Sequence, residues 1–176
     1  MKEEIFHRLY DDYHQDLFRF LIYLTKNRTV AEDLSHEVYV RVLKAYDRFE
    51  SKSSEKTWLL AIAKNVALDH FRKQNVRRKH QFEHFDWETE QLISDQPSPE
   101  FYLESKDDAE LLMEQLDRCT GDQKMVVILR YYQQLSIAET AAVLEWTESK
   151  VKTTQHRALK RLKALYKEVK EEASSL

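Results

Sequence analysis

Residues 135–162 read LSIAETAAVLEWTESKVKTTQHRALKRL. Ser136 and Glu139 fit a capping box, in which hydroxyl and carboxylate satisfy the orphan backbone donors of a helix start reciprocally. Thr147 followed by Glu148 supplies a second cap and an acid at the positive end of the next helix dipole. The spacing therefore predicts a short helix, a three-residue break at 145–147 and a longer helix from 148. Ala141 is small where two such helices must cross closely, and Val151 is placed to pack back on the first. Lys150, Lys152, Thr153, Thr154, His156 and Arg157 fall in the opening turns of the second helix. Those turns are the part of a helix-turn-helix that reaches base edges in the major groove. Positions 152, 153, 156 and 157 share one face, opposite Val151 and Ala158. A bare helical hairpin is the alternative, and this crowd of DNA-suited side chains argues against it.

Working outward, Thr29-Val-Ala-Glu32 and Thr120-Gly-Asp-Gln123 also fit capping boxes, and Ser98-Pro99 sets a cap before Pro at a first helical position. Leu34, Val38, Val42, Ala45 and Phe49 recur along one helical face. So do Leu59, Ile62, Val66 and Phe71, and in the last helix Val151, Ala158, Leu162 and Leu165. These patterns predict helices near 3–26, 30–48, 55–78, 99–118, 122–132, 136–144 and 148–171. The expected fold is all-α, with small helical domains over 1–80 and 99–176. Residues 81–98, acidic and carrying Pro97, read as a linker.

Composition agrees. One glycine, Gly121, in 176 residues is far below the ~7% of ordinary usage. Hairpin-rich sheets need glycine at positive φ, and glycine-rich phosphate loops are absent. A single cysteine, Cys119, excludes an intrachain disulfide and multi-cysteine zinc sites. The start MKEEIFHR lacks a signal-peptide pattern, and no apolar run approaches a membrane span. A cytoplasmic protein without membrane insertion is expected. His80-Gln-Phe-Glu83-His84 spells an inverted zinc-protease motif, but on a polar tether with no further ligand in a recognisable context. No metal, cofactor or catalytic site is expected, and the chain does not read as an enzyme.

The net charge of −3 conceals a pattern. Lys64, Arg72, Lys73, Arg77, Arg78 and Lys79 face Asp69 alone within 64–80, and residues 81–105 carry acids without Lys or Arg. Residues 149–170 again hold eight cations against Glu168. A solvated face explains one basic block. Two, each following an apolar helical pattern, point to nucleic acid.

The stretches AEDLSHEVYVRVLKAYDRFE (31–50) and KTWLLAIAKNVALDHFRK (56–73), followed by the helix-turn-helix, resemble the extracytoplasmic-function sigma factors, most of all the Bacillus envelope-stress type. The resemblance implies a sigma-2 domain, a linker and a sigma-4 domain that direct RNA polymerase core to promoter DNA. Asp33, His36 and Glu37 match the surface that docks on polymerase core, with His36 where the family usually has Gln. Phe49, Ser51, Lys52 and Lys56 match the loop that captures a flipped base of the minus-10 element, and Asn65, Asp69, Arg72 and Lys73 lie on the helix that follows. The family often carries Gly at the position of Ser51 and an aromatic at that of Glu55. Trp58 reads as a core residue rather than a base platform. Lys150, Lys152, Thr153, His156 and Arg157 match the readers of the minus-35 element. The linker resembles the segment that threads the nascent-RNA path, and an anti-sigma factor linked to the membrane is an implied partner. A stand-alone helix-turn-helix regulator and a helical adaptor are the competing readings.

Overall fold

The computed structural model describes residues 1–74 and 106–175. Among these, every regular element is helical. Helix α1 (Lys2–Thr25) buries Leu9, Leu17, Phe20, Leu21 and Leu24. Lys26 ends it in a left-handed conformation, φ 56°, its N–H donating to the Ile22 carbonyl at 2.8 Å. Helix α2 (Arg28–Ala45) follows at once, and so short a connection sets the two side by side. Its cap differs from the expectation. Asn27, extended at φ −143°, accepts from the Val30 N–H, while Glu32 pairs with Arg28 at 3.2 Å rather than closing a box with Thr29. The left-handed turn at Lys26 leaves Asn27 as the first residue able to cap, so the helix begins two residues early.

A 3₁₀ turn (Tyr46–Arg48) and a loop lead into α3 (Glu55–Gln74). Ser54 caps α3, its Oγ accepting from the Thr57 N–H at 3.1 Å. Leu59, Ala63 and Val66 are buried on α3 with Leu34, Val38 and Val42 of α2 and the α1 stripe. Burial of each such leucine contributes about 1.5–3 kcal/mol. Yet α3 also buries Thr57, Leu60, Lys64 and Ala67. Buried on two faces, it has a second neighbour.

The C-terminal helices supply it. Helix α4 (Lys106–Leu116) and α5 (Gly121–Val127) are joined by a short turn. The Thr120–Gln123 box caps α5, and the helix continues into a π turn over Ile128–Tyr132. Helices α6 (Ile137–Leu144) and α7 (Glu148–Ser174) form the helix-turn-helix. Leu112 and Leu116 of α4 meet Ala158, Leu162 and Leu165 of α7 in a small core with Cys119 and Val127. The remainder, including Met125, Ile128, Leu129, Ala141, Leu144 and Val151, is continuous with the core of α1–α3. The two helical regions thus share a seam. Across it the Gln133 amide donates to the Asp16 carbonyl at 2.9 Å, and Lys56 Nζ to the Gln133 carbonyl at 3.0 Å. Tyr23 packs on Tyr132 with ring centroids 4.8 Å apart. The expected linker, the Ser98-Pro99 start and the His80–His84 motif lie outside the described residues.

Candidate nucleic-acid interface

Four surfaces carry the residues singled out by sequence. On α2, Asp33, His36, Glu37 and Val40 are all exposed, while Leu34 and Val38 face inward. Glu37 accepts from Arg41 Nε at 3.0 Å, and both terminal nitrogens of Arg41 reach Asp69 of α3 at 3.3 Å. Exposed pairs of this kind contribute at most about 1 kcal/mol. Their effect is to hold α2 and α3 in register.

The loop before α3 is braced from beneath. Phe49 stacks on Trp58 at 4.8 Å with 26° between the planes, and Tyr46 meets Trp58 edge-on at 6.0 Å. Trp58 is half-buried and has one face occupied by Phe49, as its reading as a core residue anticipates. Ser51 sits at φ 57°, in the left-handed region, so a backbone that suits glycine is present where the sigma factors often have one. Lys52 is exposed and pairs with Glu50 at 2.8 Å.

Glu55, where an aromatic was the family's usual choice, is an anchor. Its two oxygens accept from the two terminal nitrogens of Arg8, each at 2.7 Å. Tyr46 donates to the same carboxylate at 2.8 Å and Tyr13 at 3.4 Å. The Arg8 hydrogen bonds hold the Glu55 carboxyl below its ordinary pKa, against the opposing effect of burial. No local pattern announces this network, because Arg8 and Glu55 stand 47 residues apart.

On α3 the candidates divide. Asn65, Arg72 and Lys73 are exposed and, with Asp69, share a helical face. Asp69 lies between Arg41 and Arg72, the latter at 3.4 Å, so its carboxylate orients cations. Lys56 turns the other way, into the seam, within 3.6 Å of Asp16.

The helix-turn-helix is built as its sequence predicts. The Ser136–Glu139 box closes in both directions, and Thr147 accepts from the Lys150 N–H at 3.1 Å. Glu145 makes the turn at φ 59°, and the Trp146 N–H reaches back to the Ala141 carbonyl at 3.0 Å, the six-to-one bond of a Schellman ending. Val151, Gln155, Ala158 and Leu162 form the buried face of α7. Lys152, Thr153, His156 and Arg157 stand opposite, half-buried. Gln155, unremarked in the sequence, is held by Arg130 Nε at 2.6 Å, fixing the rotation of the helix about its axis. Lys150 lies over the Trp146 ring at 3.9 Å. Burial lowers its pKa, opposed by Asp122, whose own carboxyl is pushed up to about 6 by burial and drawn down by Lys150.

Among the described residues no cluster of His, Cys, Asp or Glu could hold a metal ion, and no helix is long and apolar enough to cross a membrane.

Residues 9–77 match Sigma-70 region 2, and residues 109–162 match Sigma-70, region 4. The chain is 49% identical over 170 residues to the ECF RNA polymerase sigma factor SigX of Bacillus subtilis, covering 97% of this chain and 88% of that protein. A structure of the sigma factor RpoE in complex with the anti-sigma factor NepR from Bartonella quintana is similar with TM-score 0.65 and 25% identity, over 87% of this chain and 91% of that one. CnrH, solved with the cytosolic domain of CnrY, shares the fold with TM-score 0.67 and 19% identity, over 94% of this chain and 89% of that one. Both DNA-suited regions are sigma regions in the family's order, which removes the stand-alone regulator and the adaptor as readings. The chain belongs to the sigma-70 family, as an extracytoplasmic-function RNA polymerase sigma factor.

Proposed function

We propose that this sigma factor docks on polymerase core through the exposed face of α2, opens the minus-10 element with the 49–54 loop and α3, and reads the minus-35 element with α7. The observation that carries the reading is the rotation of α7. Lys152, Thr153, His156 and Arg157 lie opposite a buried face of Val151, Gln155, Ala158 and Leu162, as a helix in the major groove requires. Asp33, His36 and Glu37 form the polymerase contact. Phe49, Ser51 and Lys52, with Asn65, Arg72 and Lys73, handle the minus-10 strand. Extruding a base costs a few kcal/mol, and a loop braced by Phe49, Trp58 and Glu55 spends little further energy on its own ordering. Asp69 positions Arg72, and Lys56 borders this surface while held by Asp16 and the Gln133 carbonyl.

The chain works as a cytoplasmic initiation factor with no catalytic step, cofactor or metal of its own. An anti-sigma protein is the partner class that regulates it, as the complexes of RpoE and CnrH suggest, and a membrane-linked anti-sigma is the form we expect. The test is run-off transcription by purified core on templates with randomised upstream sequence, with and without the chain. Transcripts that require the chain and share two spaced elements support the reading. Transcription that does not depend on the chain overturns it.

A further inference from the structure

We propose that Arg130 and Gln155 are positioning residues for minus-35 recognition, setting the rotation of α7 finely enough for its exposed side chains to tell one base pair from another. This inference rests on the proposed assignment of α7 to that element and deepens it.

The first observation is where Gln155 sits. It is 1% exposed and, among the described residues of α7, the only polar one that is buried, between Val151 and Ala158. At 3.6 residues per turn, Thr153 and Arg157 lie about 160–200° around the helix from it. Whatever holds Gln155 therefore aims those two.

The second observation is how Gln155 is held. Its Oε1 accepts from Arg130 Nε at 2.6 Å, and a terminal nitrogen of Arg130 donates to the Leu135 carbonyl. A guanidinium offers donors only, in a planar fork, so the amide must present its oxygen. Arg130 lies in the π turn, which the Gln133 N–H closes on the Ile128 carbonyl at 2.9 Å. Leu135 directly precedes the Ser136 cap of α6. The guanidinium thus ties the end of α5 and the start of α6 to the buried face of α7.

The third observation is that the contact is polar where an apolar one would serve stability. Apolar burial is non-directional, and small side chains such as Val151 and Ala158 let neighbouring rotations cost little. A hydrogen bond is directional. A rotation that breaks this one leaves a buried amide unsatisfied, which lowers its population roughly 5- to 150-fold. Reading bases needs that precision. Side-chain tips stand about 6 Å from a helix axis, so a turn of about 20° carries them about 2 Å. That displacement takes a hydrogen bond out of range.

The experiment is run-off transcription by core with the full chain, on single-base variants of a minus-35 element taken from the randomised templates. Gln155→Met keeps the length of the side chain and removes the acceptor, whereas Gln155→Glu keeps the acceptor. Arg130→Lys keeps the charge and loses the fork. The wild type should prefer its own base pair at the position read by Arg157 by roughly 5- to 140-fold. Gln155→Met and Arg130→Lys should bring that ratio most of the way to one. Their salt dependence should stay at the wild-type slope, because phosphate contacts carry no sequence information. Gln155→Glu should restore the ratio. Adding Arg157→Ala to Gln155→Met should change it little further, since the two act through one contact. Should Gln155→Met lose its helical circular dichroism, Arg130→Lys and Gln155→Glu carry the same comparison. Selectivity kept by folded Gln155→Met or Arg130→Lys, an equal loss on every template, or no rescue by Gln155→Glu overturns the positioning role. Arg157→Ala alone separates the two failures. If it relaxes selectivity while the positioning variants do not, the assignment of α7 stands and this inference falls. If selectivity survives Arg157→Ala, the reading face itself is wrong and both fall.

Discussion

Removing the Glu55 carboxylate should loosen the loop and helix proposed to handle the minus-10 strand, because one side chain joins α1, the 3₁₀ turn and the start of α3. The bidentate pair with Arg8 would contribute about 1.5–3 kcal/mol if buried. The Arg8 side chain is 43% exposed and that of Glu55 21%, so screening reduces the pair to about 1 kcal/mol. The Tyr46 hydrogen bond to a charged acceptor adds about 1 kcal/mol. Glu55→Ala should therefore cost about 2 kcal/mol. For a cooperative unit of this size that is a fall in Tm of roughly 4–8 °C. Glu55→Gln, which keeps an acceptor for Tyr46, should lose about half as much. The pH dependence has a definite sign. Hydrogen bonds from Arg8 put the folded pKa of Glu55 below its ordinary value of 4.5. The stability it supplies is complete above that value and disappears as pH falls through the lowered pKa. Thermal melts of wild type and Glu55→Gln should differ by a constant amount near neutrality and converge as pH falls below 4.5 and through the lowered pKa. A Glu55→Ala melt within about 1 °C of wild type, or a gap that persists in acid, would refute the anchor.

Three further outcomes are expected. Charge reversal at both Asp33 and Glu37 should weaken binding to polymerase core by about 2–5 kcal/mol in a pull-down titration, if these charges are desolvated in that contact; undiminished affinity would move the docking face elsewhere. Asn65→Ala should reduce permanganate reactivity of minus-10 thymines more than it reduces closed-complex formation, and equal losses would make Asn65 purely structural. Arg157→Ala should relax preference at one minus-35 base pair by about 1–3 kcal/mol, measured as transcription from single-base variants at fixed salt. Lys160→Ala should instead weaken every variant alike and lower the salt dependence.

What the sequence made legible is what lies within a few residues of itself. The caps at Thr120, Ser136 and Thr147 depend on contacts three residues away, and all three form. The rotation of α7 followed from periodicity alone. Helix α3 was half-read: Leu59, Ile62 and Val66 gave the inner face, while Leu60, Lys64 and Ala67 form a second buried row one step out of phase. That second, buried face had a partner, α6, which only the fold identifies. The same limit hid Glu55 and the seam, whose hydrogen bond between Gln133 and Asp16 spans 117 residues. Lys56 shows the consequence for site prediction. Its position beside the loop before α3 was legible, and its commitment to the seam was not.

Scarcity of glycine, which excluded so many folds, also bears on how much stability this chain forgoes. Among the described residues the left-handed positions belong to Lys26, Ser51, Gln134 and Glu145, whereas Gly121 opens a helix with negative φ. A residue with a Cβ gives up about 1–2 kcal/mol in that conformation. At Glu145 a glycine would recover part of this and surrender the charge facing Lys64. Mutation and selection hold proteins just above the stability they need, leaving simple stabilising substitutions unused. The turn between α6 and α7 is one such reserve, and its use would trade the ion pair with Lys64 for a more robust helix end.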